Sequence, residues 1–182
     1  MQVIYRFSQP GLQWNTIAHW RSLMASTNRD WLFDKGSLTR RLRALSDDEF
    51  KVIPLREEAG PILPQECQLL GLPPGGRGWI REVYLVGFDR PWIYARSVVG
   101  DRDTDGSDSA LFKLGSVPLG TLLFGEKSYQ RGEIEVCRYE DACNASRQPA
   151  YPLWARRSIF SREQTNILVH EMFLPALWEE LS

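Results

Sequence analysis

Three ionisable residues stand where strand periodicity sets them among apolar neighbours, and their types suit recognition of a small carboxylic acid. Side chains alternate between the two faces of a strand, so parity decides which residues share a face. Arg81 falls with Trp79, Val83 and Leu85, Arg96 with Trp92, Tyr94 and Val98, and Glu171 with Ile167, Val169 and Phe173. A buried charge without a partner is costly, so each must meet a counter-charge or a ligand. One reading pairs these groups with one another inside the core. The other is a closed polar site in an apolar shell, with arginine gripping a carboxylate in bidentate fashion and glutamate meeting a hydroxyl. Parity leaves both open, and it does not separate an enzyme from a receptor.

Other chemistries have little to work with. The only histidines are His19 and His170, at no spacing that presents two metal ligands together, so no metal is expected. There is no glycine-rich nucleotide motif and no Gly-x-Ser-x-Gly. Cys67, Cys137 and Cys143 form an odd set without a C-x-x-C pair and read as reduced thiols. Cys67 and Cys137 have no histidine close in sequence and are expected to pack rather than attack. His170, on the strand face opposite Glu171, reads as an ordinary polar or packing residue. The formal net charge of -1 provides no basic field, so nucleic acid is not an expected partner and anion recognition must be local. Neither MQVIYRFSQPG at the start nor the apolar stretch ILVHEMFLPALW reads as a leader or a membrane span. A soluble, cytoplasmic protein is expected, with 1–182 forming a single domain.

The elements that must position these residues are legible to different degrees. Leu12, Ile17, Trp20 and Leu23 recur at helical spacing and predict an amphipathic helix within Gly11 to Ser26. Ser37 can cap a second helix carrying Leu38, Leu42 and Leu45, whose Arg40, Arg41 and Arg43 read as a solvated face. Phe50 to Leu55 reads as a strand, followed by a Pro-, Glu- and Gly-rich loop from Arg56 to Gly78 that could include a short helix. Trp79 to Val86 and Trp92 to Val99 read as a hairpin. An acidic turn from Asp101 to Ser109 leads to helical turns at Ala110 to Leu114 and Thr121 to Phe124. Arg131 to Arg138, Trp154 to Phe160 and Asn166 to Leu174 read as strands, with a loop over Asp141 to Pro152. Strands without long crossover helices predict an α+β fold, an antiparallel β-sheet with helices packed on one side.

Six segments, in this order, resemble the chorismate pyruvate-lyases of ubiquinone biosynthesis. They are WLFDKGSLTRRL (Trp31 to Leu42), WIREVYL (Trp79 to Leu85), PWIYARSVV (Pro91 to Val99), LGSVPLGTLLF (Leu114 to Phe124), ARRSIF (Ala155 to Phe160) and LVHEMFLPAL (Leu168 to Leu177). The resemblance implies a sheet and helices enclosing a buried ligand site. It also implies a cofactor-independent carbon–oxygen lyase that converts chorismate to 4-hydroxybenzoate and pyruvate. Small molecules are the expected partners, and a monomer the expected state. By this resemblance Arg81 binds the ring carboxylate and Glu171 contacts the 4-hydroxyl end, and these two are the expected catalytic residues. Leu119 matches a site residue whose backbone can bond the ligand, and Leu38 a lining position. Arg96 matches an arginine near a second anion pocket or exit path, where it could bind the enolpyruvyl carboxylate. The chain departs at Leu38, where a relative has methionine, and at His170, where threonine is common. The ligand-sensing domains of some GntR-type regulators resemble this fold too, which keeps a non-catalytic binder of small aromatic acids as the alternative. No helix-turn-helix is legible here to support it.

Overall fold

The computed structural model describes residues 12–101, 109–125, 128–139 and 153–182. The elements are α1 (Ile17–Trp20), α2 (Ser26–Leu32), α3 (Leu38–Leu45), β1 (Phe50–Pro61), α4 (Pro64–Leu69), β2 (Arg77–Gly87) and β3 (Arg90–Gly100). After a 3-10 turn at Ser109–Lys113 come α5 (Leu119–Leu123), β4 (Gln130–Arg131), β5 (Glu135–Tyr139), β6 (Leu153–Arg162), β7 (Thr165–Phe173) and α6 (Pro175–Glu180). The strands form one antiparallel sheet in the order β1-β2-β3-β7-β6-β4, with β5 also pairing β6. The expected α+β class is the one observed. The turn expected over 102–108 and the loop over 141–152, with Cys143, lie outside the described residues.

One face of the sheet carries Val83, Leu85, Phe173 and Trp154, which pack against Trp31 and Leu32 of α2, Leu38 and Leu42 of α3, and Leu177 of α6. Val99, Phe160, Ile167 and Val169 continue that face under Leu123 of α5. On the opposite face, Cys67 of α4 packs against Ile80 and Val98, while Leu12 and Trp14 cover Tyr94 and Met172. Central strands covered on both sides read as continuous apolar runs, so a charge on either face is conspicuous.

The hairpin is tighter than its five-residue linker predicts. Phe88 and Asp89 both have positive φ, 49° and 57°, which is the type I′ geometry of a two-residue loop. The register then slips: Leu85 pairs with Ile93 but Val86 with Pro91, leaving Trp92 as an extra residue in β3. The bulge breaks the parity that put Trp92 beside Arg96, and the indole joins Val83 and Leu85 instead.

Two segments differ from expectation for tertiary reasons. The first helix shrinks to α1 because Asn15 bridges to Val136 and the Trp20 indole N–H donates to the Val136 carbonyl at 3.0 Å. Those bonds to β5 set the path of the chain, and Ser26 opens α2 instead of closing the first helix. β1 runs on to Pro61 through the stretch expected as loop, with a bulge between Pro54 and Arg56. A proline is tolerated there because β1 is an edge strand. Its continuation brings Glu57 opposite Arg81.

Trp92 is fully buried and lies over Gly87, where an added Cβ would sit 2.2 Å from the ring. Gly87→Ala is therefore expected to destabilise the fold by about 1–3 kcal/mol, through displacement of the indole. A urea titration followed by tryptophan fluorescence measures it.

Candidate active site

β-pairing builds the site row by row. Arg81 on β2 lies level with Ser97 on β3, Val169 on β7 and Ser158 on β6. One row along, Val83, Ala95, Glu171 and Arg156 are level. Arg81 and Glu171 thus share a face on different strands, separated by the small side chains of Ala95 and Ser97. Those short residues form the floor of a pocket that Arg81, Arg131, Arg156 and Glu171 line with polar groups. Its roof comes from Leu38 and Thr39 of α3 and Leu119, Gly120 and Leu123 of α5. Ser37 caps α3 by accepting the Arg40 N–H at 3.3 Å, which starts the helix with Leu38 directed inward. Gly120 allows the close approach of the two helices, since a Cβ there would meet Thr39 Oγ1 at 3.0 Å.

Arg81 is held from its far side. Its Nη2 donates to the carbonyls of Gly115 and Val117, both at 2.9 Å, and its Nε lies 3.5 Å from Glu57 Oε1. Glu57 Oε2 accepts the Gly115 N–H at 3.2 Å, so guanidinium and carboxylate together fix the turn that presents Leu119. Leu119 opens α5, where a first-turn N–H has no intrahelical partner. Nη1 of Arg81 makes no bond among the described residues. Burial lowers the Arg81 pKa, and Glu57 only partly offsets it.

Glu171 is clamped at one oxygen. Its Oε2 accepts from Arg156 Nε at 2.5 Å and lies 3.7 Å from Arg131 Nη2. Oε1 makes no described bond. Arg156 is only 1% exposed, and its Nη1 donates to the carbonyls of Trp31, Leu32 and Asp34 at 3.2, 3.4 and 3.0 Å. It therefore satisfies the carbonyl end of α2 and orients the carboxylate with one side chain.

Of the residues expected in the site, Leu38, Arg81, Leu119 and Glu171 come together. Arg96 does not join them. It faces the opposite side of the sheet, level with His170 and Glu82, and is bonded to Glu66 at 2.7 and 2.9 Å and to Glu82 at 2.6 Å. Burial pulls its pKa down, but those two carboxylates outweigh burial and hold it above the ordinary arginine value. Arg96 is thus ion-paired behind the sheet, away from the pocket that holds Arg81 and Glu171. Sequence reading missed Arg156 and Arg131. Arg156 had the same signal as Arg81, since parity on β6 sets it with Trp154, Ser158 and Phe160. Arg131 had none: alternation over the strand expected from Arg131 to Arg138 sets it with Glu133 and Glu135 rather than with apolar residues, and that strand is in fact broken into β4 and β5.

His170 is fully buried beside Glu66, Arg96 and Arg157, with the Trp14 ring against it. Its Nε2 lies 3.8 Å from Glu66, a contact that by itself would favour protonation. Glu66 is already engaged by Arg96, however, and burial followed by repulsion from Arg157 and Arg96 lowers the His170 pKa to about 3. Burial also pushes the Cys137 thiol up, in keeping with packing rather than nucleophilic attack. No group of three His, Cys, Asp or Glu able to hold a metal occurs among the described residues, and no helix among them is long and apolar enough to cross a membrane.

An antiparallel sheet that buries arginines and a carboxylate beneath two short helices defines an α+β fold with a polar, arginine-lined pocket. The family described as chorismate lyase matches residues 12–182. A Pseudomonas putida protein named "Probable chorismate pyruvate-lyase" is 64% identical over 182 residues, the whole of both chains. One of the same name from Pseudomonas aeruginosa strain UCBPP-PA14 is 51% identical over 159 residues, 87% of this chain and 89% of the relative. The chain belongs to the chorismate lyase family, and so to the lyases. Among solved structures, its fold is similar to the ligand-binding domain of a GntR-family transcriptional regulator from Bordetella bronchiseptica. That match has a TM-score of 0.53 and 15% identity, covering 70% of this chain and 85% of the other. The fold is also similar to the effector domain of PhnF from Mycobacterium smegmatis, with a TM-score of 0.52, 10% identity and coverage of 78% and 90%.

Two outcomes follow from the charges. Arg156→Leu leaves a buried carboxylate short of its main partner and three carbonyls without a donor, and should cost about 3–5 kcal/mol of unfolding free energy in urea. His170 gives the second. The unfolded histidine titrates near 6.5, whereas the native one stays neutral down to about 3, so between these values the unfolded state binds the extra proton. Stability should fall as pH drops through that window, by up to about 1.4 kcal/mol per unit from this group. Denaturant midpoints of His170→Gln should show a flatter acid limb than those of the wild type.

Proposed function

We propose that this chain is a chorismate pyruvate-lyase, releasing 4-hydroxybenzoate and pyruvate as the first committed step of ubiquinone biosynthesis. The observation that carries the reading is the placement of Arg81 and Glu171 on one face, across the floor of Ala95 and Ser97 in a single pocket. The reading sets a planar ring across that floor, between the two side chains. Arg81 offers Nη1 to the ring carboxylate, backed by the bonds from Nη2 to the turn. Glu171 offers Oε1 to the 4-hydroxyl, with Oε2 fixed by Arg156.

The reaction needs no redox partner. The proton on C4 leaves, its bonding pair enters the ring, and the C3–O bond breaks with its pair going to the enolpyruvyl oxygen. The enolate so formed takes a proton at its methylene carbon and becomes pyruvate. Aromatisation drives the change, so the protein's task is to hold the reactive conformer and stabilise charge on the leaving oxygen. Assistance by Glu171 in moving the proton would contribute about 10²–10⁴-fold. The reading is of a cytoplasmic monomer that uses no cofactor.

The likeness of the fold to GntR-family ligand-binding domains supports the second reading, a binder of aromatic acids without turnover. Chorismate incubated with the protein in chelator, and followed by chromatography, separates them. Equimolar 4-hydroxybenzoate and pyruvate is the result expected of the lyase, and tight 4-hydroxybenzoate binding without turnover is that expected of the sensor. Arg81→Ala should lower kcat/KM by at least about 10²-fold with the folded circular dichroism signal retained. Wild-type kinetics in that variant would remove Arg81 from the role of anchor.

A further inference from the structure

The arginines of the sheet differ in how fully their charge is met. Arg96 has two carboxylates, Glu66 and Glu82, and Arg157 has Glu135 at 2.8 Å. Arg156 spends Nε on Glu171 and Nη1 on three carbonyls. Arg131 is less well served. Its side chain is 10% exposed, and its one carboxylate contact among the described residues is the Glu171 oxygen that Arg156 already holds. Nη1 reaches the carbonyls of Asp34 and Gly36 only at 3.3 and 3.4 Å, while Nε donates to Ser158 Oγ at 2.9 Å and the guanidinium lies 4.7 Å from the Phe160 ring centre. Burial, then repulsion from Arg156, lowers its pKa to about 10, which leaves it charged at neutral pH. Asp34 adds a longer-range attraction but is itself paired with Arg41 at 3.2 Å, so among the described residues Arg131, Arg156 and Arg41 face only Glu171 and Asp34, and this end of the pocket holds a cation in excess.

We propose that Arg131 binds the second carboxylate of a dianionic ring ligand, which in chorismate is the enolpyruvyl carboxylate. The identity of that ligand rests on the lyase reading above. Chorismate carries its ring carboxylate on C1, the enolpyruvyl ether on C3 and the hydroxyl on C4. With the C1 carboxylate at Arg81 and the C4 hydroxyl at Glu171, the C3 substituent must lie next to Glu171. Arg131 Nη2 lies 3.7 Å from Glu171 Oε2, in the pocket and at that end of it. Arg96, the sequence's candidate for this carboxylate, lies behind the sheet with its charge already matched. The contact also sets the order of affinities. Chorismate engages both Arg81 and Arg131, whereas 4-hydroxybenzoate has only one carboxylate and makes no ion pair with Arg131. As the C3–O bond breaks, the same cation stays beside the departing enolate and counters its developing charge.

Arg131→Gln and Arg131→Lys, set against wild type, test this with two stable probes, 4-hydroxybenzoate and 3-(carboxymethoxy)-4-hydroxybenzoate, in calorimetry. Kinetics with chorismate run alongside. Arg131→Gln should weaken the dicarboxylate about 10²-fold and leave 4-hydroxybenzoate affinity unchanged, which also shows that the pocket is intact. KM for chorismate should rise in step, and Arg131→Lys, which keeps the charge, should recover part of the loss. Equal weakening of both probes would make Arg131 structural and overturn the proposal, as would no change in either. If wild type does not turn over chorismate while Arg131→Gln still weakens only the dicarboxylate, the lyase reading fails and the dianion site stands.

Discussion

A carboxylate buried on a sheet face has to be paired, and the pairing of Glu171 with Arg156 organises much of the pocket side of this molecule. Arg156 is buried because α2 covers it, and it tolerates burial because it donates to the last carbonyls of that helix as well as to Glu171. The same side chain thus closes a helix end, docks that helix on the sheet and aims a carboxylate oxygen at the pocket. Removing any one of these leaves the others with unmet charge, which is the costly state inside a protein.

The two faces of the sheet treat charge in opposite ways. Behind it, Arg96 is matched by Glu66 and Glu82, and His170 stays neutral against neighbouring guanidiniums. There the carboxylates lie within ion-pair distance of the guanidinium. On the pocket side Arg81, Arg131 and Arg156 face Glu57 and Glu171, and donors remain unspent at the place where Ala95 and Ser97 leave room. A protein with near-zero net charge can recognise an anion this way. The positive charge is local, desolvated and short of one partner.

The backbone irregularities serve the same arrangement. The bulge at Trp92 lets the indole join the core beneath α3, while residues from Ile93 onward keep Ala95 and Ser97 on the pocket face. The bulge between Pro54 and Arg56 lets an edge strand run long enough to put Glu57 across from Arg81. Without it the turn at Gly115 would lose its acceptor, and Leu119 its support.

By itself, the sequence determined the antiparallel α+β class, the hairpin, the Ser37-capped helix and the positions of Arg81 and Glu171 on apolar strand faces. These depend on alternation and capping, which are local and written in adjacent residues. Which strand lies beside which is not local, and that decided the roles of the charges. Pairing of β3 with β7 and β2 set Arg96 and His170 behind the sheet, and pairing of β6 with β7 brought Arg156 to Glu171. Arg131, on a strand of two residues, acquires meaning only from its neighbours across the ladder. Parity showed that each charge needs a partner. Only the tertiary structure decided which partners lie within the protein, because ion pairing depends on distances between residues far apart in the chain.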